Sequence, residues 1–181
     1  MSAKRLPGKP LLKIKGKSII VHVFNKAKKC GIGRVVVATE DIEIVKEIKK
    51  NKGFAVLTSK KHQSGTDRIW EAYKKIKNNN IKYIINLQGD EPLIDIKDIK
   101  NLNKISKKYK LGIATLALKI KNNKVFKNKN IVKVETKNKI NKNRPQEAKN
   151  FTRIPNKRHE NFYQHIGIYH YSVNMLKKFF N

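Results

Sequence analysis

The sequence predicts an α/β domain built on a mainly parallel sheet, and three observations carry that expectation. Short β-rich apolar runs alternate with segments of helical periodicity from residue 18 to about residue 118, an order that puts helices on the faces of a parallel sheet. The run Ile81, Tyr83, Ile84, Ile85 and Leu87 has little polar relief, as a strand buried on both faces does. It then stops at once on Gln88-Gly89-Asp90-Glu91-Pro92. Gly89 lets the chain turn, or lets a ligand approach the backbone closely, and Pro92 forbids continuation as a central strand. An amide and two carboxylates therefore stand just past the carboxyl end of a buried strand, where ligands bind in open α/β sheets. A plain strand-to-helix turn is the simpler reading of the same residues.

The chain opens on a loop. Arg5-Leu6-Pro7-Gly8-Lys9-Pro10 holds two prolines and a glycine between cations. Arg5 offers a planar fork for phosphate oxygens and Lys9 a point charge, although a solvated basic turn would read the same way. Ile20, Val23, Ala27 and Cys30 then recur at helical spacing, widened by Ile19 and Phe24. Ser18 can cap the start of this helix and Gly31 its end. Residues 35–38 form a short strand. Residues 41–51 form a helix with Asp41 and Glu43 early and Lys49 and Lys50 late, matching the helix dipole. Gly53 closes it, and residues 54–57 are the next strand.

Lys61-His62-Gln63-Ser64-Gly65-Thr66-Asp67-Arg68 follows. Ser64 and Asp67 make a capping signal ahead of the helical run Ile69, Trp70, Tyr73, Ile76. A helix start fed by Ser-Gly-Thr can turn N–H donors toward a polar ligand, or it can be an ordinary cap. His62 has no second histidine at ligand spacing, so it is not read as a metal ligand. Beyond the central strand come a helix over 94–108, a strand over 111–118, a Lys/Asn-rich loop over 119–130 and a short strand over 131–134 carrying Lys133. Residues 137–150 read as polar and irregular and residues 162–171 as a strand. A last helix from about residue 172 carries Met175, Leu176, Phe179 and Phe180, an apolar face with no later segment to cover it.

The chain has 181 residues, enough for one domain with a core. It holds no apolar run of about 18 residues that would span a membrane. The start Met1-Ser2-Ala3-Lys4-Arg5 lacks an apolar signal core, so a cytoplasmic protein is expected. The lone Cys30 lies on an apolar helical stripe and reads as a small core residue rather than a nucleophile. Net charge is +30, from 43 Lys and Arg against 13 Asp and Glu. The lysines are spread over all predicted elements, and aromatics are not interleaved with them as a stacking platform requires. That favours a compositional habit over a non-catalytic basic nucleic-acid-binding protein, which is kept as an alternative. The excess charge should still attract a polyphosphate, less so in salt. Neither the dinucleotide glycine fingerprint nor the Gly-Lys-Ser/Thr phosphate loop occurs.

RLPGKPL at 5–11, HQSGTDR at 62–68, LQGDEPL at 87–93 and HIGIY at 165–169 together resemble the 3-deoxy-manno-octulosonate cytidylyltransferases, or CMP-Kdo synthetases. The resemblance covers nearly the whole chain, in order and at compatible spacing. It implies a Rossmann-like nucleotide-diphospho-sugar transferase fold with a mixed, mainly parallel sheet, in a single domain over residues 1–181. It also implies the reaction of CTP with Kdo to give CMP-Kdo and pyrophosphate with Mg²⁺, serving lipopolysaccharide biosynthesis. The anomeric hydroxyl would attack the α-phosphorus directly, so the protein positions groups and neutralises charge.

By the same resemblance Arg5 and Lys9 hold the triphosphate and Asp90 binds Mg²⁺. Gln88 hydrogen-bonds the sugar acid, and Ser64, Gly65 and Arg68 lie near the cytosine. Arg153, in Phe151-Thr152-Arg153, pairs with the Kdo carboxylate. His165 and Tyr169 line the sugar pocket, and Glu91 fixes the loop. Purely structural roles stay open for Arg153 and Tyr169. CMP-sialic acid synthetases share the fold, so a related sugar acid is an alternative substrate, and the resemblance allows a homodimer. Family members begin with a central strand ending in Pro-Ala-Arg and continue to a second metal-binding Asp. The sequence runs from Met1 to Asn181 without either, so the expectation is a chain lacking its first strand, marginal in stability and weakly active.

Overall fold

A computed structural model describes residues 8–78, 80–141, 144–155 and 161–180. Gly8 adopts a left-handed backbone (φ 72°) and feeds a 3₁₀ turn, Lys9–Leu11. A small hairpin then pairs β1 (Lys13–Ile14) with β2 (Lys17–Ser18). Its two loop residues, Lys15 (φ 48°) and Gly16 (φ 77°), both have positive φ, the backbone of a tight two-residue hairpin turn. The sequence reading assigned no element between the opening loop and Ser18, because Lys at the first turn position hides the hairpin signal.

Helix α1 (Ile19–Cys30) spans both halves of the molecule. Ile20, Val21 and Phe24 pack on Ile44 and Ile48 of α2 (Ile42–Lys50). At its other end Cys30, 3% exposed, packs with Ile99 and Leu102 of α4 (Ile96–Lys108). Burial raises the Cys30 pKa, and its Sγ donates to the Lys26 carbonyl at 3.3 Å, which fits a core residue. Gly31 closes α1 in the left-handed region (φ 65°). Ser18 holds the N-cap backbone position, but its hydroxyl donates to Glu47 Oε1 of α2 at 2.9 Å instead of capping.

β3 (Val37–Thr39) and β4 (Ala55–Leu57) pair in parallel. α3 (Gly65–Ile76) follows, and then β5 (Tyr83–Asn86) ends in the Gln88–Pro92 loop. After α4 come β6 (Ile113–Lys119), α5 (Asn123–Lys127), β7 (Lys133–Thr136), β8 (Ala148–Thr152), β9 (Phe162–Ser172) and α6 (Val173–Phe180). The long β9 organises the second sheet. It pairs antiparallel with β5, β6 and β7, and β7 in turn pairs antiparallel with β8.

The fold is thus α/β with mixed pairing, and among the described residues the parallel pairing is confined to β3 and β4. Alternation of strands and helices does not reveal that a later strand, β9, lies between two earlier ones. For the same reason every β5 residue is only half-buried: its one strand neighbour among the described residues is β9, not the two of a central strand. α5 and β8 stand where sequence reading saw loop and irregular chain. α5 is a single turn capped by Asn122, and β8 exposes most of its side chains, so neither leaves an apolar pattern. The α6 face is partly covered: Leu176 is buried and Phe180 stacks on Trp70 at 5.4 Å. Phe179 stays 68% exposed. No described helix is long and apolar enough to cross a membrane.

Candidate active site

The site is built at the carboxyl end of β5. Gln88 accepts from the Glu91 N–H through its carbonyl at 3.2 Å, which turns the chain. Lys26 of α1 donates to the Pro92 carbonyl at 2.7 Å and pins the loop. A side chain on Gly89 would come within 2.9 Å of Ile20 Cδ1, so the glycine lets this loop lie against α1. Asp90 then projects to solvent, and its Oδ2 accepts from Lys9 Nζ at 2.9 Å. The two residues lie 81 positions apart in the chain. Their side chains are 36% and 46% exposed, so water screens the pair and it adds little to stability. Arg5 lies outside the described residues.

Two further segments reach this edge. The start of α3 lies beside it: a Cβ on Gly65 would stand 3.7 Å from Asn86 Nδ2. Ser64 is fully used as a cap. Its Oγ accepts from Asp67 N–H at 3.1 Å, and Asp67 Oδ2 accepts from the Ser64 N–H at 2.9 Å. The Ser64 hydroxyl bond also holds the Asp67 carboxyl below its usual range. Arg68, one residue further on, is held by two polar partners. Its Nη1 donates to Thr58 Oγ1 at 2.6 Å, and its Nη2 pairs with Glu40. The side chain is 11% exposed, so it ties α3 to the ends of β3 and β4. Sequence reading put Arg68 near a base and missed Glu40, a lone acid with no motif around it. The His62 ring pairs with Glu71.

The other segment is β9. Thr115 pairs with Tyr169 but the next residue, Leu116, pairs with Ile166, so Gly167 and Ile168 bulge out of the ladder. The bulge brings Gly167 to Gln88: a Cβ there would lie 3.5 Å from Gln88 Cγ. Thr115 Oγ1 holds the bulge, donating to the Ile168 carbonyl at 2.6 Å. His165 Nε2 lies 3.0 Å from the same hydroxyl. With the hydroxyl proton given to the carbonyl, Thr115 accepts and Nε2 carries the imidazole proton. Burial lowers the His165 pKa and raises that of Tyr169, which keeps both neutral near pH 7. The His165 ring contacts Tyr169 at 5.4 Å and meets Phe151 edge-on at 5.2 Å. Thr115 carried no signal in the sequence beyond a β-branched residue in a strand.

Arg153 stands just past the end of β8, two residues after Phe151, and is exposed. Its Nη1 donates to the carbonyls of Asn130 at 2.9 Å and Lys129 at 3.4 Å. The geometry thus gathers Lys9, Gly65, Gln88, Asp90 and the His165–Tyr169 bulge around one sheet edge, with Arg153 joined through Phe151. No cluster of three or more His, Cys, Asp or Glu suited to a metal occurs among the described residues. A single exposed aspartate still suits Mg²⁺, which keeps several waters and takes phosphate oxygens beside one or two carboxylates.

A sequence model of the cytidylyltransferase family matches residues 1–181. The chain is 35% identical over 190 residues to the 3-deoxy-manno-octulosonate cytidylyltransferase of Histophilus somni (strain 2336), covering 98% of this chain and 74% of that one. It is 42% identical over 188 residues to the enzyme of the same name from Elusimicrobium minutum (strain Pei191), covering 98% and 73%. The solved structure of CMP:2-keto-3-deoxy-manno-octonic acid synthetase complexed with CTP superposes with a TM-score of 0.84 at 34% identity, covering 97% of this chain and 72% of that one. A 4-diphosphocytidyl-2C-methyl-D-erythritol synthase from Anaerococcus prevotii DSM 20548 shares the fold alone, with a TM-score of 0.60 at 13% identity over 96% of this chain and 72% of that one. A family match along the whole chain and relatives this similar lead to one conclusion: the chain belongs to the cytidylyltransferase family, among the 3-deoxy-manno-octulosonate cytidylyltransferases.

Proposed function

We propose that the protein transfers a cytidylyl group from CTP to the anomeric hydroxyl of 3-deoxy-manno-octulosonate, releasing pyrophosphate. The hydroxyl oxygen forms the new bond to the α-phosphorus as the bond to pyrophosphate breaks, and the hydroxyl proton leaves to solvent. The observation that carries this reading is the Lys9–Asp90 contact of 2.9 Å at the carboxyl end of β5. It puts a phosphate-seeking cation and a carboxylate at one point, as an in-line displacement on a triphosphate requires.

Lys9, with Arg5, would hold the triphosphate and stabilise the departing pyrophosphate. Asp90 would hold Mg²⁺ together with phosphate and water oxygens. When bound, the metal supplies neutralisation of the phosphate charge. Gln88, fixed beside the β9 bulge, would orient the sugar acid, and neutral His165 and Tyr169 would line its pocket. Arg153 would face the sugar carboxylate. Gly65 and the α3 start would lie near the cytosine, with Ser64 and Arg68 shaping that corner through their capping and ion-pair bonds.

Pyrophosphate release tests the reading. Release that needs CTP, Mg²⁺ and Kdo together supports it, release with sialic acid moves the substrate to another sugar acid, and no release with either overturns it.

A further inference from the structure

We infer that Lys133 is a positioning residue for the sugar-acid end of the site: it fixes the segment from which Arg153 acts, without touching substrate. This rests on the function proposed above. Lys133 lies on β7 and is 0% exposed. Its ammonium donates to two main-chain carbonyls, of Asn128 at 2.6 Å and of Arg153 at 2.9 Å. The Arg153 guanidinium donates in turn to the carbonyls of Lys129 and Asn130. Two cations thus grip three consecutive carbonyls of one turn, and one of them holds the main chain of the other. The turn is closed from within by Ile131 N–H to the Asn128 carbonyl at 3.1 Å and Asn130 N–H to Asn128 Oδ1 at 2.9 Å.

A buried lysine is costly, and a carboxylate is its usual compensation. Among the described residues no carboxylate forms an ion pair with Lys133 or Arg153. Burial and the nearby Arg153 charge both push the Lys133 ammonium toward losing its proton. A methionine of similar length would fill the same strand position without that cost. The charge is therefore explained by what it holds rather than by packing. Strand register carries the effect to the site. Lys133 pairs with Thr152 on one side and with Gln164 on the other. Their neighbours Phe151 and His165 are in edge-on ring contact. If the 151–153 segment loosens, both Arg153 and the wall of the His165 pocket lose their support.

The test compares K133M, R153A and the double variant in the full chain. Pyrophosphate release is measured against Kdo at saturating CTP and against CTP at saturating Kdo, and Kdo binding is titrated by calorimetry. K133M should raise the KM for Kdo about tenfold, as loss of one charged hydrogen-bonding anchor does, with the KM for CTP within about twofold. Because Lys133 acts mainly through Arg153, the double variant should lose less than the product of the two single losses. K133R, which keeps donors at this reach, should recover most of the loss. If K133M does not fold, K133Q carries the same comparison. With the wild type active, an unchanged KM for Kdo or losses that multiply in the double variant overturn the inference alone. A wild type without Kdo-dependent release overturns the proposed function and this inference with it.

Discussion

His170 makes the stability of this protein depend on pH in a window where few other groups titrate. The residue lies near the carboxyl end of β9, 0% exposed, and neither ring nitrogen has a hydrogen-bond partner among the described residues. Its ring tilts against Tyr83 of β5 at 5.1 Å, and Lys107 of α4 adds a positive charge nearby. Burial first, and then Lys107, lower its pKa from 6.5 to about 4. In the unfolded chain the imidazole takes a proton as pH falls through 6.5, while the folded ring stays neutral until about 4. Between those values the unfolded state binds more protons, so stability falls as pH falls, by about 1.4 kcal/mol per pH unit. From pH 7 to pH 5 the loss is about 2 kcal/mol, and about 3 kcal/mol once the window is crossed. That is a large part of a typical total of roughly 5–15 kcal/mol. Urea unfolding at pH 7.5, 6 and 5 measures it, with H170F as the comparison. The phenyl ring keeps an aromatic in place and removes the titration, so the H170F slope over this range should be shallower by about one proton. His165, whose pKa burial also lowers, leaves a residual slope of the same sign in both. Equal slopes in the wild type and H170F would refute the assignment.

Asp90→Asn should lower pyrophosphate release by about 10²-fold or more, as loss of a charged transition-state contact does, with an unchanged urea midpoint because Asp90 is exposed; a near-normal rate would break its proposed role. Arg68→Met should cost about 1–3 kcal/mol of stability by leaving the partly buried Glu40 and Thr58 without their donor, and adding Glu40→Gln should restore part of it in the same unfolding assay. The KM for CTP should rise as salt increases from about 50 to 300 mM, because the excess of cations draws the triphosphate in and added ions screen that attraction. An unchanged KM would show that the net charge has no part in binding.

Much of the α/β pattern was legible because its signals are local. The Ser64–Asp67 capping box, Asp41 at the start of α2 and Gly31 at the end of α1 act within four residues of where they stand. Helical periodicity likewise marks which face of α1 is buried without knowing what covers it. The family resemblance put Lys9 and Asp90 at one nucleotide site, and in the structure their side chains meet at 2.9 Å. What could not be read is how donors are shared between distant residues. Arg68 was expected near the cytosine, and nothing local announced its pairing with Glu40, 28 residues earlier. Arg153 and Lys133 looked like unrelated cations until they closed on one turn.

The sequence by itself determined where most helices begin and end, which residues carry charge to the edge of β5, and the family they spell out. Tertiary structure alone decided that β9 runs antiparallel between β5 and β6, that its bulge at Gly167 meets Gln88, and that Lys133 is buried beneath the Arg153 segment. The reason is physical: capping and amphipathicity are written within a few adjacent residues, whereas strand partners and buried hydrogen bonds are chosen by contacts between segments far apart in the chain.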